Sequence, residues 1–283
     1  MSFFKYKVIL VTGAGGSIGS EVCRQIMKHE PEVLIMFDNS ELALYNIDRE
    51  LGSKHAIPAL GDILSYDDLN MWMPGVDIVF HTAAYKHVTM CERNPAAARR
   101  VNIEGTRTLV AHASGHEVPK LVMVSTDKAV RPTCVMGRTK QAAEFIVREA
   151  GYTTIRLGNV YGSSGSAVPV WKEQIARGLP VTITHPAVER YFISANTAAK
   201  RILQAAEMAE GGETYVPDMG APQLIVDVAR QLGAFEIKYT TLERYEKLGE
   251  ELYVNSCQTT SVPGMYRDAE PAATPLDAKV TDV

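Results

Sequence analysis

The chain is short of the features that would force an unusual reading. Only four cysteines, Cys23, Cys91, Cys134 and Cys257, occur among its 283 residues, and their spacing fits no metal-ligand pattern. Small buried thiols, reduced in a cytosolic setting, are the expectation, and no metal site is expected. No stretch approaches the roughly 20 consecutive apolar residues that a membrane helix needs. The leading Met1–Lys7 segment is too short and too charged for a signal peptide, because Val8-Ile9-Leu10-Val11 runs directly into a glycine-rich loop. A cytoplasmic protein without a membrane segment is expected. An excess of basic charge is also missing: the formal charge of −4 leaves no broad positive field and argues against nucleic acid as a partner. Internal repeats are absent.

What is present is an ordinary core-forming composition, 46% apolar, arranged in strict alternation. Apolar runs at Val8–Val11, Val33–Phe37, Ile57–Leu60, Asp77–Phe80 and Leu121–Val124 predict strands. Helical periodicity between them predicts helices over Ser17–His29, Glu41–Leu51, Pro95–Ser114 and Met136–Ala150. Such alternation implies right-handed βαβ crossovers, and the unbroken apolar strands imply a sheet covered on both faces. The predicted fold is α/β, a Rossmann-like doubly wound parallel sheet with a smaller C-terminal substrate-binding lobe. The expected division is 1–162 for a nucleotide-binding domain and 163–267 for the lobe, with some segments returning to the first domain. Residues 268–283, rich in Ala, Pro and Asp, are expected to form a mobile tail. Thr153–Leu157 predicts one more strand, and Thr197–Met208 and Leu224–Leu232 predict helices.

The first strand ends at Thr12 and is followed by Gly13, Gly15, Gly16, Ser17, Ile18 and Gly19, with Gly13, Gly16 and Gly19 spaced Gly-x-x-Gly-x-x-Gly. Glycines there permit a tight turn and bring backbone N–H groups and a helix N-terminus against a pyrophosphate. The acidic Asp38 ends the second strand 19 positions after Gly19, where a carboxylate accepts from ribose hydroxyls and repels a 2′-phosphate. With Asn39 rather than Arg beside it, NAD is the expected cofactor. Asp62, with Ile63 next to it, can reach an adenine amino group or cap the helix that starts near Tyr66. Ala83 and Ala84 leave room for a nicotinamide ribose or simply pack.

Thr126, Asp127 and Lys128 leave the end of the fifth strand, where a doubly wound sheet opens onto its ligand. Lys140 lies four residues past Met136 and so on the same helical face, placed to reach the nicotinamide ribose. Met136 by itself reads as a core methionine.

The runs His81–Val88, Ser125–Thr133, Val135–Lys140, Arg156–Ser163, Val181–Pro186 and Arg190–Phe192 closely resemble the UDP-N-acetylglucosamine 4,6-dehydratases of the extended short-chain dehydrogenase/reductase superfamily, found in polysaccharide biosynthesis. The resemblance covers roughly residues 5–232. Where relatives carry Tyr-x-x-x-Lys this chain has Met136 and Lys140, which resembles the branch that retains the C5 configuration. It implies Asp127 as acid for the C6 hydroxyl, Lys128 as base at C5 and Thr126 as the O4 contact. It further implies Asn159, Val181, Thr182 and Arg190 as contacts to UDP, with Lys86 and His87 lining the sugar pocket, and a homo-oligomer. The family's usual Arg-Pro-Gly-Glu-Lys-Leu segment is replaced by Glu243-Arg244-Tyr245-Glu246-Lys247-Leu248. Two other functions fit the same frame: a UDP-sugar C4 epimerase or 4-keto reductase, and an inactive NAD-binding protein.

Overall fold

The computed structural model describes residues 2–269. Strands and helices alternate through the first half: β1 Val8–Thr12, α1 Ser17–Met27, β2 Val33–Asp38, α2 Glu41–Leu51, β3 Ala56–Leu60, α3 Tyr66–Trp72 and β4 Ile78–His81. A helical run follows, α4 Val88–Arg93, α5 Pro95–Arg99, a wide π-type turn Arg100–Gly105 and α6 Thr106–Gly115. β5 Lys120–Thr126, a 3₁₀ turn Asp127–Ala129, α7 Val135–Glu149 and β6 Thr153–Leu157 complete the alternation. The remainder comprises β7 Asn159–Val160, α8 Ala167–Ala176, β8 Val181–Ile183, β9 Glu189–Arg190, β10 Phe192–Ile193, α9 Ala195–Met208, β11 Thr214–Pro217, β12 Gln223–Leu224, α10 Ile225–Gln231, β13 Ile237–Tyr239, β14 Cys257–Thr259 and β15 Met265–Asp268.

The main sheet runs β3-β2-β1-β4-β5-β6-β11 in parallel, and β15 and β14 extend it antiparallel past β11. The order reverses between β1 and β4, so the C-terminal ends of these strands form the crevice where ligands of such sheets bind. The apolar strand residues divide between two faces. Ile9, Val11 and Phe80 pack under α1, α2 and α9 with Val22, Ile47 and Ile202, while Leu10, Val79 and Leu121 pack under α3, α6 and α7 with Leu69, Leu109 and Val147. A separate small core joins Trp171, Val181, Ile183, Val188 and Val228 in the second lobe.

The helix expected over 95–114 is interrupted. At the wide turn, Asn102 is drawn toward the loop after β4: Tyr85 N donates to its Oδ1 at 2.8 Å, and its Nδ2 donates to Tyr85 O and to Thr139 Oγ1, each at 3.0 Å. Satisfying that amide costs the regular i to i−4 ladder, and π turns of this kind gather at functional sites. The expected tail from 268 also differs at its first residue. Asp268 closes β15 and is buried against Arg156, whereas 270–283 lie outside the described residues. No helix among the described residues is long and apolar enough to cross a membrane.

Candidate active site

The glycine loop and the ends of β2, β3 and β4 enclose a cleft of about 630 Å³. Gly13, Gly16, Asp38, Asn39, Asp62, Ile63, Ala83 and Ala84 all line it. Gly13 needs its hydrogen: its φ is +68°, and a Cβ there would stand 2.7 Å from Ala83 N. Asp38 locks the loop from below. Gly15 N donates to its Oδ2 at 2.8 Å and Ser40 N to its Oδ1 at 2.9 Å, so the carboxylate is fixed at the cleft floor. Asp62 accepts from Leu64 N, and Ser65 rather than Asp62 caps α3. Gly15 packs on Ala43 and Ile18 on the core, while Ser17 turns away to hold Ser164 of the second lobe. These three support the loop rather than line the cleft.

β5 delivers the reaction centre. Thr126 Oγ1 donates to Asp127 Oδ1 at 2.9 Å, and Lys128 Nζ donates to the same oxygen at 3.0 Å. Asp127 is fully buried, and its Oδ2 has no hydrogen-bond partner among the described residues. A buried acceptor left open in this way marks a place for a donor. Lys128 Nζ also reaches Asn159 Oδ1 at 3.3 Å, which puts Asn159 beside the Asp127–Lys128 pair. Burial alone would lower the pKa of Lys128; Asp127 and then Glu250 outweigh it and hold the ammonium above its ordinary value, with Arg190 opposing.

Lys140 behaves in the opposite way. It is buried on α7, and burial pulls its pKa down from 10.5 to about 8, with Glu144 partly restoring it. Lys140 has no hydrogen bond or ion pair among the described residues. Burial of His81, and after it the charge of Lys140, pushes that imidazole down to about 3, so that it is neutral. Thr106 Oγ1 donates to Asn102 O, which leaves it to accept from His81 Nε2; Nδ1 then accepts from Thr12 Oγ1 at 2.7 Å. Met136 is buried with Cys91, Ala98 and Cys134, so the position of the usual phenol is apolar.

A second cavity of about 340 Å³ adjoins the reaction centre, lined by Lys128, Thr133, Cys134, Arg190, Tyr245, Glu246, Lys247 and Glu250. Arg190 lines it too, and its guanidinium donates to the carbonyls of Glu189, Lys247 and Leu248. Val181 and Thr182 do not reach either cavity. Val181 is buried in the lobe's own core, and the backbone and hydroxyl of Thr182 bond to Trp171 and Gln174. Lys86 and His87 are exposed beyond β4, with the His87 ring packed on Gly165 of the second lobe.

Three residues of the site escape a reading by motif. Asn102 staples the β4 loop to α7. Glu144, fully buried, accepts from Ser125 Oγ at 2.5 Å and from Arg156 at 2.9 and 2.7 Å, fixing the strand that carries Thr126. Glu250 comes from a distant part of the chain. For Asn102 a signal exists, a polar residue four places from Ala98 and from Thr106 on one buried helical stripe. Among the described residues, no group of three or more His, Cys, Asp or Glu could hold a metal ion.

Residues 9–270 match the family described as polysaccharide biosynthesis protein. The capsular polysaccharide biosynthesis protein CapD of Staphylococcus aureus is 42% identical over 270 residues, covering 87% of this chain but 45% of that protein. The chain thus spans less than half the length of that relative. A UDP-N-acetylglucosamine 4,6-dehydratase (inverting) of Campylobacter jejuni is 33% identical over 227 residues, 76% of this chain and 67% of that one. A UDP-glucose 4-epimerase of Rickettsia massiliae is likewise 33% identical, over 75% of this chain and 66% of its own. Among solved structures, Pen from Bacillus thuringiensis superposes with a TM-score of 0.88 at 30% identity, covering 95% of this chain and 90% of that one. The matched segment holds the glycine loop, Asp38, the Thr126-Asp127-Lys128 centre and Lys140, and by that match the chain belongs to the polysaccharide biosynthesis protein family.

Proposed function

We propose that the protein is an NAD-dependent 4,6-dehydratase of a UDP-hexose, with UDP-N-acetylglucosamine as substrate, and that it retains the configuration at C5. The observation that carries this reading is the buried Asp127, bonded through one oxygen to both Thr126 and Lys128 and open at the other. An epimerase or ketoreductase moves a hydride and one hydroxyl proton; it has no use for a paired acid and base at neighbouring carbons. The inactive-protein alternative leaves unexplained why Thr126 and Lys128 converge on one oxygen of a fully buried carboxylate at the end of β5.

The residues of the large cleft fit NAD: a loop with no Cβ at Gly13, a carboxylate at the ribose end and small Ala83 and Ala84 after β4. When bound, NAD supplies a hydride acceptor for C4 and a hydride donor for C6. In this reading Lys140, an ammonium at neutral pH, binds the ribose hydroxyls and favours electron withdrawal from the sugar. Thr126 accepts the proton of the C4 hydroxyl while passing its own to Asp127. The resulting 4-ketone acidifies the C5 proton, which Lys128 takes after its ammonium has released a proton to solvent, a loss made easier once Asp127 is protonated and no longer a counter-charge. Asp127 then gives its proton to the C6 hydroxyl; the C6–O bond breaks, the C5–C6 double bond forms and water leaves. After reduction at C6, Lys128 returns its proton to the face of C5 from which it came. One carboxylate thereby carries the O4 proton to O6 and is reset, and no separate phenol is needed at position 136.

The test is to incubate the protein with UDP-N-acetylglucosamine and catalytic NAD. A product lighter by one water, with a methyl group at C6 in its NMR spectrum, supports the reading. A product of unchanged mass, or consumption of NAD in proportion to product, contradicts it.

A further inference from the structure

Residues 240–256 run without helix or strand past the ends of β5 and β6. This strap is tied down from several sides. Thr133 Oγ1 donates to Tyr245 O and Lys247 Nζ to Val130 O, each at 2.9 Å, and Arg190 donates to the carbonyls of Lys247 and Leu248 at 3.0 and 3.1 Å. The strap carries Glu250, whose side chain is 4% exposed, into the cavity beside the reaction centre. Its Oε1 stands 3.6 Å from Lys128 Nζ and 4.0 Å from Arg190 Nε; its Oε2 is 3.9 Å from Lys247 Nζ and has no hydrogen-bond partner among the described residues. These are charge contacts, longer than hydrogen bonds. A carboxylate buried this deeply acts on its neighbours through its field, which is strong where water is excluded.

Lys128 is therefore held at three points: Asp127 Oδ1 at 3.0 Å, Asn159 Oδ1 at 3.3 Å and Glu250 Oε1 at 3.6 Å. We propose that Glu250 is a positioning residue of the reaction centre, which aims the Lys128 amine and sets the pH at which it becomes a base. The proposal rests on the dehydratase reading for the role of Lys128, and on the distances alone for the coupling between the two side chains. The charged and titratable groups around Lys128 are Asp127 from the 3₁₀ turn, Glu250, Lys247, Glu246 and Tyr245 from the strap, Arg190 from β9 and Cys134 from the start of α7. The carboxylates of Asp127 and Glu250 lie closest. Both raise the proton affinity of Lys128, and Arg190 lowers it. Glu250 thus keeps Lys128 charged and in register while the strap is docked, and any movement that withdraws it releases the base.

The experiment is competitive acetylation of Lys128 by trace acetic anhydride as a function of pH, read by mass spectrometry, in wild type, Glu250→Gln, Glu250→Asp and Glu251→Gln. Loss of an opposite charge at this range is worth about one pKa unit or more, so Glu250→Gln should make Lys128 about tenfold more reactive at pH 9 through a lowered midpoint. Glu250→Asp should fall between Gln and wild type. Glu251→Gln, altered at a partly exposed partner of Arg131 and Lys247 that makes no ion pair with Lys128, should match wild type. In turnover of UDP-N-acetylglucosamine, the acid limb of kcat/KM should move to lower pH in Glu250→Gln by the same amount. An unmoved midpoint overturns the proposal, and so does higher labelling at an unmoved midpoint, which reports only a loosened strap. A lowered midpoint in a protein that does not turn over the sugar supports the coupling and removes the dehydratase reading.

Discussion

Lys140 is a cationic side chain kept in the interior at a cost that can be measured. Its pKa falls from 10.5 to about 8 on folding. At about 1.4 kcal/mol per unit, that gap is a penalty of about 3 kcal/mol carried by the native state at pH 7. The sign follows from proton counting. Between pH 8 and 10.5 the unfolded chain binds more protons at this site than the native one, so wild-type stability rises with pH through that window. Lys140→Met keeps the apolar stem and deletes the charge. Glu144 is not orphaned, because Arg156 and Ser125 already bond it. The variant should be more stable than wild type by up to about 3 kcal/mol at pH 7 and by about half of that at pH 9.5. For a chain of this size the first figure corresponds to a midpoint higher by about 6–12 °C. Urea unfolding of cofactor-free protein at the two pH values reads both quantities. The variant should in return be stabilised less than wild type by added NAD, since the ammonium proposed to bind the ribose is gone. A variant less stable than wild type, or an advantage that stays constant with pH, would refute the reasoning.

NAD should bind more tightly than NADP, because Asp38 is pinned at the ribose end by Gly15 N and Ser40 N; equal dissociation constants by calorimetry would count against that placement. Asp127→Asn should fold and bind nucleotide yet lose turnover by about 10²–10⁴-fold, with no rise in near-ultraviolet absorbance, because the Thr126 relay ends on that carboxylate. A stoichiometric burst of reduced cofactor without product would confine Asp127 to the C6 hydroxyl, and near wild-type turnover would remove it from the mechanism. Arg156→Met should destabilise the protein by about 3–5 kcal/mol in urea unfolding, since Glu144 and Asp268 are then left buried without their counter-charge. Undiminished stability would show that these carboxylates take up protons at little cost.

The parts legible in the sequence are those written locally. Val8–Val11 leading into Gly13, Asp38 at the end of the next apolar run, and Thr126-Asp127-Lys128 at the end of another each lie within a single βα unit. Their order along the sheet then follows from the handedness of the crossovers. Residues brought in from far along the chain leave no such trace. Glu250 reaches Lys128 across more than a hundred positions, from a segment with no periodicity of its own. Asp268 sits in a composition that reads as tail, yet Arg156 draws it into the sheet's edge. The wide turn at Asn102 is hidden because a π turn interrupts a helix without a proline or glycine break inside its first turn. Val181 and Thr182 fit a resemblance by sequence, but Val181 is buried in the second lobe's own core and Thr182, exposed on the other face of β8, is held by the Gln174 amide.

The central claim is that one active site oxidises C4, eliminates water across C5 and C6, and reduces C6. Its most direct test is UDP-N-acetylglucosamine carrying deuterium at C4, turned over with catalytic unlabelled NAD in ordinary water and followed by NMR. Deuterium is expected in the C6 methyl group of a 4-keto-6-deoxy product whose C5 keeps the configuration of the substrate. A product of unchanged mass that is the C4 epimer and carries the deuterium at C4 would contradict that claim and assign the site to epimerisation.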